Sequence, residues 1–438
     1  MTQGRVGIVV SGGPAPGINS VIGAATIRAT LSGCEVLGIQ DGFRWIRDGD
    51  TSHVTPLSMT DTSRIHFRGG SHLSISRASP LTSAATLNRT IESLERLSID
   101  KLIAIGGEGT AYCAYRIEEA AKGRIRVAHV PKTIDNDLNL PGDTFTFGYQ
   151  TARHHGVELV SNLMVDARTT SRWFFVVAMG RTAGHLALGI GKAAGATLTL
   201  IPEEFRDTTA STQLIVDTIV GSIIKRLASG RSHGIVVLAE GLADFLDPAD
   251  LAAAGGEQDV KENLRVVRLR IGHILKDKVH ARLKSLGIKL PLSIVAKHIG
   301  YELRCVDPVP LDMEYTRDLG FGAAKFLVEG GSGATMCVQN GKLVAMPFSQ
   351  IIDVNTGIPF IRLVDIDSDR YKIARSYMIR LHRSDFDDPL ELDLLAAAAN
   401  LSQEQFRQQF KSVVEAEPRL APVSMFPPRA HVTPISAK

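Results

Sequence analysis

The sequence predicts an α/β protein of two domains, each built on a doubly wound parallel sheet. Three observations predict it. Short β-branched runs end in glycine or proline, stretches with helical spacing alternate with them, and a break at NLPGDTFTFGYQ is followed by a second such series. RVGIVV (Arg5–Val10) reads as a buried parallel strand, closed by Ser-Gly-Gly. Apolar residues at Ile18, Val21, Ile22 and Ala25 then follow helical spacing, and CEVLGIQ reads as the next strand. The unit is a βαβ crossover with a glycine-rich loop. KLIAIGG repeats the strand, GEGT reads as a turn, AYCAYRIEEAAKG as a helix stopped at Gly123, and RIRVAHV as another strand. FFVVAMG, ATLTLIP and GIVVLAEG continue the alternation after the break. Residues Leu242 to Asn263 are polar and punctuated by Gly and Pro, which predicts a surface excursion. NLRVVRLRIGHILKDKVHARLKSLG predicts a long helix stopped by Gly287. From Pro418 onward the chain is proline-rich and aperiodic, and predicts an extended tail.

Composition narrows the function. The chain has 438 residues, enough for full hydrophobic cores, and 44% of them are apolar. Its 49 basic and 46 acidic side chains leave a formal balance of +3, which argues against a dedicated nucleic-acid binder. Cys34, Cys113, Cys305 and Cys337 are scattered without CxxC or zinc-ligand spacing, so a reducing compartment is expected. The N-terminal MTQGRVGIVVSGG lacks a signal-peptide layout and no run is long enough to span a bilayer; a cytoplasmic protein without a membrane partner is expected.

Three segments carry the chemistry. SGGPAPGINS places Gly12 and Gly13 directly after a strand and before a helix, where backbone N–H groups and the helix dipole favour an anion. It lacks the GxxxxGK[ST] pattern of a Walker loop. GGEGT, Gly106 to Thr110, lies at another strand's carboxyl end, the edge where ligands collect in open α/β sheets. Its Glu108 is suited to a hard cation such as Mg²⁺, or simply to a helix start. VPKTIDNDLNLPG supplies Lys132 and two aspartates, Asp135 and Asp137, whose spacing puts both on one side of an extended chain. Glycine cradle, cation, metal ligand and carboxylate base form the set that phosphoryl transfer requires.

Taken together, SGGPAPGINS, GGEGT, PKTIDND, VVAMGRTAGHLAL with ATLTLIPEE, LAEG, GYELR and DLGFGAAKF leading to GSGATM resemble the phosphofructokinase family, over roughly residues 5 to 345. YKIARSYMIRL looks like the C-terminal region of bacterial pyrophosphate-dependent members. The resemblance implies two Rossmann-like three-layer domains with the active site in the cleft between them. Residues 1–140 plus about 300–345 would bind the phosphoryl donor. Residues 141–299 plus about 346–417 would bind the sugar phosphate. It implies Asp135 as the base for the sugar C1 hydroxyl, supported by Thr133 and Asp137, with Lys132 and Arg181 completing the catalytic group. Gly12, Gly13, Gly106, Gly107, Gly109 and Thr110 would bind the donor with Lys132. Met179, Gly180 and Arg181 would hold the acceptor, Glu240 its hydroxyls, and Tyr301 and Arg304 its 6-phosphate. Glu108, where the family usually has aspartate, would hold Mg²⁺. Arg172 matches an arginine that reaches a neighbouring subunit's site, so a homodimer or homotetramer is expected.

Donor and acceptor follow from the same resemblance. Pyrophosphate members tend to have lysine before TIDND, as Lys132 here, whereas ATP members tend to have glycine after the metal-binding residue, as Gly109 here. The proline in GGPAPG and the YMIRL region favour pyrophosphate, and fructose 6-phosphate is the family's usual acceptor. The expectation is reversible transfer from pyrophosphate to fructose 6-phosphate. ATP as donor, sedoheptulose 7-phosphate as acceptor, a sugar-phosphate binder without turnover, and an NAD- or nucleoside-directed kinase using GGEGT are the alternatives.

Overall fold

The computed structural model describes residues 3–206, 211–255, 260–290, 294–353, 356–357 and 359–416. The proline-rich tail and part of the expected surface excursion lie outside them.

Two sheets organise the chain. The first has seven strands: β1 (Arg5–Val10), β2 (Glu35–Ile39), β3 (Val54–Pro56), β4 (Lys101–Gly106), β5 (Arg126–Pro131), β10 (Ala334–Gln339) and β11 (Lys342–Pro347). Their order is β11-β10-β5-β4-β1-β2-β3. The second has β6 (Trp173–Ala178), β7 (Leu198–Leu200), β8 (Gly234–Ala239) and β9 (Ile294–Ile299), in the order β7-β8-β6-β9. The second sheet is parallel throughout; the first carries antiparallel pairs at both edges, β2 with β3 and β10 with β11. The expected parallel sheets are present, and the first adds antiparallel strands at its edges, where short connections suffice. Strand β4 is buried along its whole length and sits between β1 and β5, which explains its unbroken apolar reading.

Helices cover both faces. Helix Ile18–Leu31 packs on helix Pro310–Val328, and Gly320 allows the close approach: a Cβ there would lie 2.5 Å from the Val21 carbonyl oxygen. Asp312 of the latter helix is fully buried. Its carboxylate accepts from the Gly148 and Thr151 N–H groups at 3.1 and 2.7 Å, and so caps the long helix Tyr149–Thr170. The C-terminal helices dock on the second unit, where buried Glu204 accepts from Arg380 at 2.6 Å and from Arg375 at 3.3 Å.

Several local expectations are corrected. GEGT is not a turn: the helix begins at Glu108 and runs to Ala121, so Glu108–Thr110 form its first turn. Gly107 in extended conformation turns the chain into that helix directly from β4. The excursion from Leu242 begins inside the protein, because Leu242 and Ala243 are fully buried and extend the apolar core beyond β8. The long helix starts at Val260 and ends at Ser285, with Gly287 at φ 68° behind it.

Candidate active site

The carboxyl ends of β1, β4, β5, β6 and β9 converge on one cleft of about 500 Å³. On one side, Gly12 and Gly13 follow β1. Gly12 has φ 91°, a conformation that favours glycine, and its N–H donates to the Ser76 carbonyl at 3.1 Å. Beside them Gly107, Glu108, Gly109 and Thr110 line the cleft at a helix N-terminus. Gly106 does not line it. A Cβ there would fall 2.0 Å from Thr110 Oγ1, so this glycine lets the helix fold over the strand end. A Cβ on Gly109 would meet open space within 4 Å.

Lys132 crosses from the end of β5 to the first loop. Its side chain is buried, its ammonium donates to the Gly13 carbonyl, and its backbone N–H donates to the Gly106 carbonyl at 2.8 Å. Burial, the Arg181 guanidinium and then those of Arg304 and Arg77 lower Lys132 to about 7, against a pull upward from Asp135.

Asp135 and Asp137 both line the cleft, although the loop is not extended there as the spacing implied. Asn136 between them sits at φ 56°, a conformation held by the fold around it. The Asn136 Oδ1 accepts from Thr146 N–H at 3.1 Å, and Thr146 Oγ1 donates to the Thr133 carbonyl at 2.7 Å. The Asp135 N–H donates to Thr133 Oγ1 at 3.0 Å. Asp135 Oδ1 is buried without a hydrogen-bond partner, and Oδ2 lies 3.7 Å from Arg181 Nε. Burial and then the Asp137 carboxylate push Asp135 well above the ordinary carboxylate range; burial also raises Asp137.

The opposite wall comes from the second sheet. Met179 and Arg181 follow β6 and line the cleft, while Gly180 lies beneath, its N–H donating to Glu240 Oε1 at 3.1 Å. Arg181 N–H donates to the same oxygen at 2.7 Å, which holds Arg181 at φ 52°. Glu240 thus shapes the loop as well as lining the cleft. Burial alone would raise it, but the His298 imidazole 3.8 Å away and hydrogen bonds from the Arg181 and Gly180 amides bring it below its ordinary value. The Arg181 side chain spans the two walls, 2.5 Å from Glu108 and 3.7 Å from Asp135. Tyr301 and Arg304 follow β9. The Arg304 guanidinium lies 4.6 Å over the Tyr301 ring and also faces the first glycine loop, 3.4 Å from where a Gly13 Cβ would be.

Arg172 is not in this cleft. It precedes β6 whereas Met179–Arg181 follow it, and a six-residue strand separates the two by about 20 Å. Sequence reasoning missed Arg77, Cys113 and Arg268, which do line the cleft. Arg77 lies in an irregular segment without periodicity. Arg268 lies on the long helix in a run with Arg265 and Arg270 that carries no motif, and Asp244 holds it at 3.0 Å through both oxygens. His129 was also missed. Buried in β5, its Nε2 faces the Gly106 carbonyl at 2.8 Å and its Nδ1 faces Thr335 Oγ1 at 2.9 Å. A carbonyl only accepts, so Nε2 carries the proton, and burial keeps the ring neutral by lowering it to about 4.

Comparison with known proteins places this geometry among relatives. The chain is 47% identical over 417 residues to pyrophosphate--fructose 6-phosphate 1-phosphotransferase of Thermotoga maritima, covering 94% of this chain and 99% of that protein. It is 46% identical over 420 residues to the protein of the same name from Naegleria fowleri, covering 94% and 96%. In fold it matches the pyrophosphate-dependent phosphofructokinase of Nitrosospira multiformis with a TM-score of 0.65 at 16% identity, over 92% of this chain and 93% of that one. The glycine loops, the carboxylate loop and the arginine that bridges the walls all fall within residues 5–327, which match the model of the family described as Phosphofructokinase, and the chain belongs to that family.

Proposed function

We propose that the protein transfers a phosphoryl group from pyrophosphate to the C1 hydroxyl of fructose 6-phosphate, reversibly, giving fructose 1,6-bisphosphate. The observation that carries the donor assignment is Lys132: a buried ammonium beside the first glycine loop, with Arg77 close by. Such a concentration of cations suits a compact, highly charged anion. The relatives' names supply the same donor and acceptor. ATP is the second reading, supported by the open space beside Gly109.

In this reading the first sheet's loops, with residues 1–140 and about 300–345, hold the donor. Residues 141–299 and about 346–417 hold the acceptor. Asp135 accepts the C1 hydroxyl proton on a carboxylate oxygen that has no other hydrogen bond, Oδ1, and its raised affinity for a proton suits a base working near neutral pH. Asp137 and Thr133 fix the loop. Arg181 reaches from the acceptor side to Glu108 and Asp135 on the donor side, where it neutralises charge on the phosphoryl group in transit. Met179 and Glu240 contact the sugar phosphate, and Tyr301 and Arg304, which directly follow β9 of the second sheet, reach it from the start of the 300–345 segment.

The residues present fit Mg²⁺. Glu108 is a partly exposed hard oxygen donor at the glycine loops, and phosphate oxygens and water complete such a shell. When bound, Mg²⁺ neutralises charge on the transferring phosphates. ³¹P NMR of enzyme with pyrophosphate, fructose 6-phosphate and Mg²⁺ tests the reading: orthophosphate and fructose 1,6-bisphosphate signals should grow together. Turnover only with sedoheptulose 7-phosphate, only with NAD or a nucleoside, or with no acceptor at all contradicts it. In the same assay Glu108→Ala should raise the Mg²⁺ concentration needed at least about tenfold or abolish transfer. An unchanged requirement makes Glu108 a helix-start carboxylate only.

Arg172 fits a contribution to a second copy's site, which makes the working enzyme a homodimer or homotetramer in the cytoplasm. Arg172→Ala and Asp135→Asn chains, each inactive, should regain partial activity when mixed and reassembled, because some sites then receive both intact residues. Full activity of a monomer in sedimentation contradicts it.

A further inference from the structure

The loop that carries Asp135 and Asp137 is held from outside the region shared with the family model, which ends at residue 327. The segment Ile361–Val364 threads between the two walls of the cleft. On the donor side Ile361 pairs with Leu138, and the Arg362 N–H donates to the Asp137 carbonyl at 2.8 Å. The Arg362 guanidinium then grips the loop at three residues. It donates to the Asn136 carbonyl at 3.2 and 3.3 Å, to the Asn136 side-chain oxygen, to the Thr144 carbonyl at 2.6 Å and to the Leu140 carbonyl at 3.5 Å. On the acceptor side, the Arg362 carbonyl accepts from His185 Nε2 at 3.2 Å. The Val364 N–H donates to Glu203 Oε1 at 3.0 Å, and Gly184 N–H donates to that same oxygen at 2.9 Å. Gly184 and His185 lie directly behind Arg181.

Asn136 is the residue in the left-handed conformation between the two aspartates, so whatever fixes its carbonyl fixes the direction of both carboxylates. A guanidinium suits this task because its planar fork spans several carbonyls at once, which an ammonium cannot do. The backbone bonds of the same segment tie the loop to the turn that carries Arg181. One short stretch thereby sets the separation of base and charge clamp.

We propose that Arg362 is a positioning residue for phosphoryl transfer: it holds Asp135 and Asp137 in register with Arg181 without touching either substrate. The proposal rests on the reading of Asp135 as the base. Arg362→Ala is expected to lower kcat about 10²-fold, the scale of a misplacement near 1 Å, with KM for pyrophosphate changed less than about threefold. Guanidinium ion at millimolar concentration should restore part of that kcat in Arg362→Ala and none in Asp135→Asn. Arg362→Lys keeps the charge but not the fork, and is expected to fold and to run at least about tenfold slower than the unmutated protein. Unchanged kcat in either variant overturns the proposal. So does a loss in Arg362→Ala that guanidinium leaves untouched while the unfolding midpoint drops, since that marks a purely structural role. Failure of the underlying reading is distinguishable, because then Asp135→Asn itself would keep its turnover.

Discussion

Asp135→Asn is expected to keep the fold and to lose about 10²–10⁴-fold in kcat, the usual cost of removing a positioned general base. The amide keeps the size of the side chain and its place beside Thr133, so binding of the sugar phosphate should change by only a few fold. Removing the acid also removes a titration. Burial and Asp137 raise Asp135, so the base is protonated and idle at acid pH, and the rate should climb as pH rises toward neutrality. In Asp135→Asn that acid limb should vanish from the residual rate. Near-normal kcat, or an unchanged acid limb, removes Asp135 from the mechanism.

Lys132→Gly is expected to lower kcat/KM for pyrophosphate about 10²-fold or more, the equivalent of losing a charge-assisted contact of about 3 kcal/mol. The sign of its pH dependence is opposite to that of Asp135. Burial and the neighbouring guanidinium groups bring Lys132 down to about 7, so its charged form is fully present below that pH and declines above it. In the unmutated protein kcat/KM for pyrophosphate should therefore fall on the alkaline side, and Lys132→Gly should flatten that limb. Because Gly109 faces open space, the same substitution should raise the relative use of ATP. A Lys132→Gly enzyme with undiminished pyrophosphate kcat/KM contradicts the donor assignment at its source.

What the sequence revealed, and what it hid, divides along physical lines. Strands buried on both faces read as continuous β-branched runs, and loops behind them read as glycines, so β1, β4, β5, β6 and β8 and the loops that follow were legible. The hairpin at the end of the first sheet was not: β10 and β11 turn at Asn340 and Gly341, β10 is buried only over its first four residues, and the edge strand β11 is mostly open to solvent. The aspartates, Lys132, Arg181 and Arg304 were found through their motifs, and the cleft brings them together. Arg77, Arg268 and Arg362 were invisible because each acts from a segment with no motif, and only folding sets it beside the loops. Arg362 shows the limit most clearly: the partners of its guanidinium lie more than two hundred positions away in sequence and are mainly backbone carbonyls, which every residue possesses.

The measurement that bears most directly on the central claim is kcat/KM of the unmutated protein for pyrophosphate and for ATP, at saturating fructose 6-phosphate and Mg²⁺ and at one pH near neutrality. The buried Lys132 beside the Gly13 loop predicts that the value for pyrophosphate exceeds that for ATP by at least about 10²-fold, the worth of the contact that only the compact donor can use. A value for ATP above that for pyrophosphate would contradict the account and make the open space at Gly109 the feature that selects the donor.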